Sequence, residues 1–250
     1  MPKITFCNQP ASLTQTKRHL FLPEDYRREV DAHWAQINAE GKFFNGPVLV
    51  ASHLTIDQAP PEIEVSATDY AHYLYAMSDA EREFACRAVF SAAVVITRDN
   101  HLLAGRMASH TSSPGQIQCA GGGVELTVDG TLNPGECCRR ELAEELGAGF
   151  LEYQPLFKPL CIKTGGRLET VGLIYLVLFD GDASQAQSLF RSHREGQLAH
   201  GEEPEFDTLL AIPLDPRSVD QFLAQQGDAI VDYLATLLSE HRDALLVDVP

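Results

Sequence analysis

Positive charge is scarce in this chain: 19 Lys and Arg stand against 35 Asp and Glu, for a formal charge of −16 and a pI near 4.9. A surface this acidic repels a nucleic-acid backbone and an anionic membrane, so neither is an expected partner. An anionic small substrate would have to be met by local Arg, Lys or metal. Long apolar runs are missing too, since no stretch approaches the roughly 20 apolar residues that cross a bilayer. The opening MPKITFCNQP lacks a charged-then-apolar leader. Together these predict a soluble, cytoplasmic chain. The six cysteines show no C-x-x-C spacing, and Cys137 and Cys138 are adjacent, which is poor geometry for a disulfide framework. Reduced thiols are expected.

What the chain does have is one organising stretch, GGGVELTVDGTLNPGECCRRELAEELG, from Gly121 to Gly147. Asn133 is a favoured helix N-cap, Pro134 suits the first helical position, and Glu136 stands three after the cap. The helix that follows carries Glu141, Glu144 and Glu145 at i, i+3 and i+4, which predicts three carboxylates on one face, with Leu142 and Leu146 on the core side. Carboxylates crowded in this way repel one another, so a cation is expected among them. With no His at helical spacing, the all-oxygen donor set favours Mg²⁺ or Mn²⁺. A bare E-x-x-E-E would ordinarily be a solvated face; Arg140-Glu141 before the acidic pair and the glycine run upstream argue against that here.

The stretch resembles the Nudix box, G-x5-E-x7-R-E-U-x-E-E-x-G-U, where U is a bulky aliphatic residue. Arg140, Glu141, Leu142, Glu144, Glu145 and Gly147 are in register with it, while Cys137 and Cys138 stand where two small residues are usual. The first half departs from the pattern. Counted back from Arg140, the early glutamate falls on Leu132 and the opening glycine on Leu126. Matching the glycine run to Gly121, Gly122 and Gly123 inserts about four residues in the loop. Glu125, Asp129 and Glu136 are then candidates for the missing carboxylate, and the last U position holds Ala148.

The resemblance implies an α/β/α sandwich with a mixed sheet and a metal-dependent pyrophosphohydrolase. Glu141, Glu144 and Glu145 would then be metal ligands and catalytic residues, and Arg140 would hold a neighbouring carboxylate. The expected substrate is a nucleoside-diphosphate-linked molecule, a nucleotide sugar first, with ADP-ribose, coenzyme A or a dinucleotide as alternatives. A different class, a Nudix-fold module that binds a nucleotide without hydrolysing it, is left open by the irregular first half. Trp34, Phe44, Asn45 and Gly46 also resemble the N-terminal extension of the UDP-glucose/UDP-galactose diphosphatase type; a core Trp and a plain Asn-Gly turn is the other reading.

Elsewhere the patterns are ordinary. A strand is predicted at Lys3–Cys7, a helix from Pro23 to Glu40, strands at Val48–Ile56 and Glu62–Ala67, and a helix capped by Ser66 or Thr68. These make a small N-terminal α/β extension, residues 1–84, ahead of a Nudix-type domain, 85–250. The second part opens with a hairpin, Ala88–Thr97 and His101–Arg106, which leaves Arg106 at a strand end where it could face a phosphate. A short strand, Ile117–Ala120, leads to the glycines, whose open amides could bind anionic oxygen. A second hairpin, Pro155–Lys163 and Glu169–Phe179, precedes a helix over 180–195, a loop bearing Glu202, Glu203 and Glu205 as candidates for the general base, a strand at Thr208–Ile212, and one long helix, Ser218–His241, suited to packing on the domain or joining a homodimer.

Overall fold

The computed structural model describes residues 1–16, 20–41, 43–78, 84–127, 130–154 and 156–246. The chain opens with β1 (Pro2–Phe6), β2 (Ser12–Gln15), α1 (Glu24–Ile37), β3 (Pro47–Thr55), β4 (Glu62–Asp69) and α2 (Tyr70–Ser78). Next come β5 (Val89–Thr97), β6 (His101–Met107), β7 (Ile117–Gln118), β8 (Ala120–Gly123), α3 (Pro134–Glu145) and α4 (Gly149–Glu152). The last elements are β9 (Leu156–Gly165), β10 (Val171–Phe179), α5 (Ala183–Ala199), β11 (Phe206–Pro213), α6 (Pro216–Gln226) and α7 (Asp232–Glu240).

The larger sheet runs β1-β9-β10-β5-β6-β11, with β7 added on β6 and β8 on β5. Only a mixed sheet fits the pairings, because β10 and β5 are parallel while β9–β10, β5–β6 and β6–β11 are antiparallel. The two central strands, VFSAAVVIT and VGLIYLVLF, are apolar at nearly every position because both their faces are covered. Alternation along β5 sorts the side chains: Val89, Ala93 and Val95 join Cys138, Leu142 and Phe190 below α3 and α5, whereas Ala92, Val94 and Ile96 join Val219, Leu234 and Leu237 of α6 and α7. Helices therefore cover both faces, the α/β/α sandwich that the sequence predicts.

The N-terminal third is tied to this core twice. β1 pairs antiparallel with β9 at the edge of the larger sheet. The three-stranded sheet β2-β4-β3 turns Leu49, Ala51, Ile63 and Val65 into the same buried cluster as Leu142. Among the described residues no helix is long and apolar enough to cross a membrane.

Three expectations need correction. Ser66 and Thr68 lie inside β4, and α2 is capped instead by Asp69, whose carboxylate accepts the His72 N–H at 2.9 Å. The strand before the glycines extends through them, so Gly121–Gly123 form most of β8, hydrogen-bonded along β5. The long C-terminal helix is broken into α6 and α7 at Gly227, which has φ 49° and ψ −126°; a strong apolar period on both sides hid the break. Sequence patterning also missed β2, a four-residue strand held by its parallel pairing to β4.

Few non-glycine residues tolerate the backbone angles of Gly227, so Gly227→Ala should cost about 1–3 kcal/mol although the site has open space around it. Urea unfolding would show the loss as a lower midpoint; an unchanged midpoint would mean that the joint relaxes freely.

Candidate active site

Helix α3 begins where its sequence directs. The Asn133 side chain accepts the Glu136 N–H at 3.1 Å, and Pro134 fills the first turn. Cys137, Cys138, Leu142 and Leu146 are buried along its inner face. Each fully buried Leu contributes about 1.5–3 kcal/mol, which seats the helix against β5 and β8. From the other side, His193 Nε2 and Gln197 Nε2 on α5 reach the Glu144 carbonyl oxygen at 2.8 and 3.2 Å. They serve a helix end whose carbonyls have no partners within the helix. The sequence reading missed both residues; the only signal was the need of that end for donors.

Seating the helix fixes what its acids can reach. Glu145 is only 6% exposed. Its Oε2 accepts the Gly121 N–H at 2.7 Å, while its Oε1 is buried without a hydrogen-bond partner. Burial, followed by the negative charges of Glu205 and Glu141, raises its pKa well above the ordinary carboxylate range; the Gly121 N–H opposes them only in part. Glu141, with its side chain 17% exposed, lies directly over Gly122. A Cβ at that position would stand 2.6 Å from Glu141 Cδ, so the absence of a side chain is what lets the carboxylate come down onto the strand. Burial also raises the Glu141 pKa, with Arg140 opposing and Glu144 and Glu205 adding to it. Glu144 turns to solvent, 61% exposed. The three acids are thus graded from core to surface rather than displayed evenly on one face.

Glu205, just before β11, is near enough to add its charge to Glu141 and Glu145, although like Glu202 and Glu203 it is exposed. Arg140 gathers the outer carboxylates. Its Nη2 donates to Glu141 Oε1 at 2.8 Å, its Nη1 to Glu125 Oε2 at 3.2 Å, and its Nε lies 3.8 Å from Glu144 Oε1. Of the three candidates for the missing box carboxylate, Glu125 is therefore the one on the arginine. Glu136 remains exposed in the first turn of α3, and Asp129 lies outside the described residues.

The structure sets the other expected contact residues in different surroundings from those the sequence suggests. The amides of Gly121–Gly123 belong to an extended strand rather than an open loop, and that of Gly121 is spent on Glu145. Arg106 shares its sheet face with Leu102 and Ala104, the side covered by α6 and α7, and donates to Gly115 O at 3.1 Å and Gln226 Oε1 at 2.8 Å. It faces away from the acids because strand register, not proximity to a strand end, decides the side. All six cysteines are free, and burial pushes the Cys119 thiol up to about 12, which leaves it protonated and unreactive.

The acids have the chemistry that a hard divalent cation takes. Glu145 offers a buried oxygen with no donor, two neighbouring carboxylates add negative charge to it, and the groups present are all oxygens. Among the described residues no group of three or more Asp, Glu, His or Cys side chains is arranged to hold a metal ion; Arg140 lies between Glu141 and Glu144 instead.

A carboxyl whose pKa is higher folded than unfolded loses stability as pH climbs above its ordinary value of 4.5. In chelator, the protein should melt at higher temperature at pH 5 than at pH 8, and Glu145→Gln should remove part of that slope and raise the pH 8 melting point. Parallel slopes for both proteins would contradict the burial of Glu145. Glu125→Gln should weaken Mn²⁺ binding several-fold, about 1 kcal/mol for one exposed ion pair, by leaving Arg140 on Glu141 and Glu144; Glu136→Gln should not, as isothermal titration would show.

The family model described as the NUDIX domain matches residues 88–220. Among solved structures, the chain is similar to DR0079 from Deinococcus radiodurans, with 15% identity, coverage of 77% of this chain and 97% of that one, and a TM-score of 0.47. It is similar to the NUDIX domain of Shewanella oneidensis NrtR complexed with ADP ribose at 18% identity, 72% and 100% coverage, and a TM-score of 0.42. A bifunctional NMN adenylyltransferase/ADP ribose pyrophosphatase from Francisella tularensis is matched at 18% identity over 68% of this chain with a TM-score of 0.38; the chain covers 46% of that protein, about half its length. No curated protein matches the chain.

Proposed function

The chain belongs to the NUDIX family, and on that premise we propose that it is a divalent-metal-dependent pyrophosphohydrolase acting on a nucleoside-diphosphate-linked small molecule, a nucleotide sugar being the first class to test. The observation that carries the reading is the buried, unpartnered Oε1 of Glu145 beside Glu141 and Glu205. A helix face meant only for solvation would not sink a carboxylate among like charges.

Hydrolysis needs neutralised phosphate charge and an activated water. Glu141, Glu144 and Glu145 would hold one or more Mg²⁺ or Mn²⁺ ions. When bound, such an ion offsets the negative charge of the diphosphate and makes water a better acid. The chain's own residues do the rest. The Gly121 amide fixes the orientation of Glu145, and the bare Cα of Gly122 sets the height of Glu141. Glu205, just ahead of β11 and near enough to act on Glu145 by its charge, would accept the proton of the attacking water. Arg140 is shared between Glu141, at 2.8 Å, and Glu125, at 3.2 Å, so a bound cation would compete with it for Glu141 and have Glu145 to itself. Oxygen of water bonds to phosphorus, the anhydride P–O bond breaks, and two monophosphates leave; from a nucleotide sugar these are a nucleoside monophosphate and a sugar 1-phosphate.

The side chains around Asn45 give the nucleotide-sugar reading no direct contact: Asn45 Oδ1 accepts the Ala71 N–H at 2.8 Å, at the start of α2, and Phe44 is exposed. Substrate class is therefore a matter for assay. With Mg²⁺ or Mn²⁺, a panel of nucleotide sugars, ADP-ribose, coenzyme A and dinucleotides should yield monophosphates from at least one member. Glu144→Gln and Glu145→Gln should each lower turnover about 100-fold or more. Nucleotide binding without monophosphate release from any member would point to a sensor and overturn the enzyme.

A further inference from the structure

The break at Gly227 places the end of α6 beside a loop that borders the acids. We propose that Arg106 and Gln226 are positioning residues that set the place of Glu205, so that the α6–α7 joint belongs to the working parts of the site; this rests on the reading of Glu205 as the acceptor of the water proton.

The connections are continuous. β11 is the last strand of its sheet, so its place depends on β6 along one edge. At its start, the Glu205 carbonyl accepts the Ala108 N–H at 2.8 Å. Ala108 opens the 108–116 loop, whose neck is closed by Gly115 N–H to Met107 O at 2.9 Å and Met107 N–H to Gln116 O at 2.8 Å. Arg106 clamps that neck from the far face of the sheet, one arm on Gly115 O and the other on Gln226 Oε1. Gln226 in turn is held where it is because the chain after Gly227 docks on β7, with Val231 N–H donating to Ile117 O at 3.1 Å. On the other side, Arg194 Nε donates to Phe206 O at 3.3 Å, so the residue after Glu205 is fixed from α5 as well.

An arginine suits this place better than a lysine. Its planar fork carries donors at fixed spacing and bridges two acceptors from different elements, whereas an ammonium on a flexible stem would satisfy one and leave the other. Releasing the clamp lets the loop neck and the Glu205 backbone drift together. Drifts of about 1 Å in a reacting group are enough to cost up to about 100-fold in rate.

The experiment compares Arg106→Lys, Gln226→Ala and Glu205→Gln, singly and combined, on the full chain with Mn²⁺ and whichever substrate the panel identifies. Arg106→Lys and Gln226→Ala should each lower kcat about tenfold with KM within about twofold. In the Glu205→Gln background, itself about 100-fold slower, neither should lower kcat further, because the acceptor they position is already gone. Hydrogen–deuterium exchange without metal or substrate should show faster exchange at the amides of 108–116 in both clamp variants. If Glu205→Gln retains the turnover of the unmodified protein, the role assigned to Glu205 is wrong and the clamp has nothing to position. A Glu205→Gln loss with clamp variants that either keep full kcat or slow the Glu205→Gln protein by a further tenfold overturns the positioning role alone.

Discussion

A carboxylate sunk beneath a helix, with one oxygen given a partner and the other left without, is the constraint around which this molecule is arranged. Burying an unpaired charge costs several kcal/mol unless something positive or a proton answers it. Glu145 receives one backbone N–H from Gly121 and two like charges from Glu141 and Glu205, an arrangement that no amount of apolar packing would favour by itself. The stability needed to hold it comes from elsewhere: from the capped start of α3, from the leucines and cysteines beneath it, and from α5 gripping its last turn through His193 and Gln197.

The acids divide into an inner and an outer set. Glu145 and Glu141 lie against β8 and are read by backbone and by neighbouring charge, while Glu125 and Glu144 are exposed and are gathered by the Arg140 guanidinium. Glu141 belongs to both sets, since its Oε1 accepts from Arg140 at 2.8 Å. From the strand side Glu125 reaches the same guanidinium at 3.2 Å, so the arginine draws on carboxylates from the strand end and from its own helix.

What the sequence made legible is what short-range physics decides. The cap at Asn133, the seating face of α3, the β5–β6 hairpin and the acid identities all depend on residues a few positions apart. What it concealed depends on pairings far along the chain. Arg106 meets Gln226 across 120 positions, and no local rule says which face of β6 the arginine takes. The glycine run looked like a loop because glycine is common in loops, yet here its missing side chains admit Glu141 from above. Glu205 could not be separated from Glu202 and Glu203 because all three are exposed in one short stretch, and only the pairing of β11 on β6 decides which of them stands near Glu145. The joint at Gly227 was hidden by Phe222, Ile230, Leu234 and Leu237, whose spacing suits one helix or two.

The anchor of Glu145 is a main-chain amide, and that has a bearing on how the sequence can drift over generations. The N–H at position 121 belongs to the main chain, yet it is tied to glycine by space, because a Cβ there would stand 2.2 Å from Ser91 O and 2.6 Å from Ala92 Cα. Heredity therefore protects the partner of the deepest acid through the bareness of one residue, since any side chain at 121 would push β8 off β5 and carry the amide away from Glu145 with no change in the acid itself.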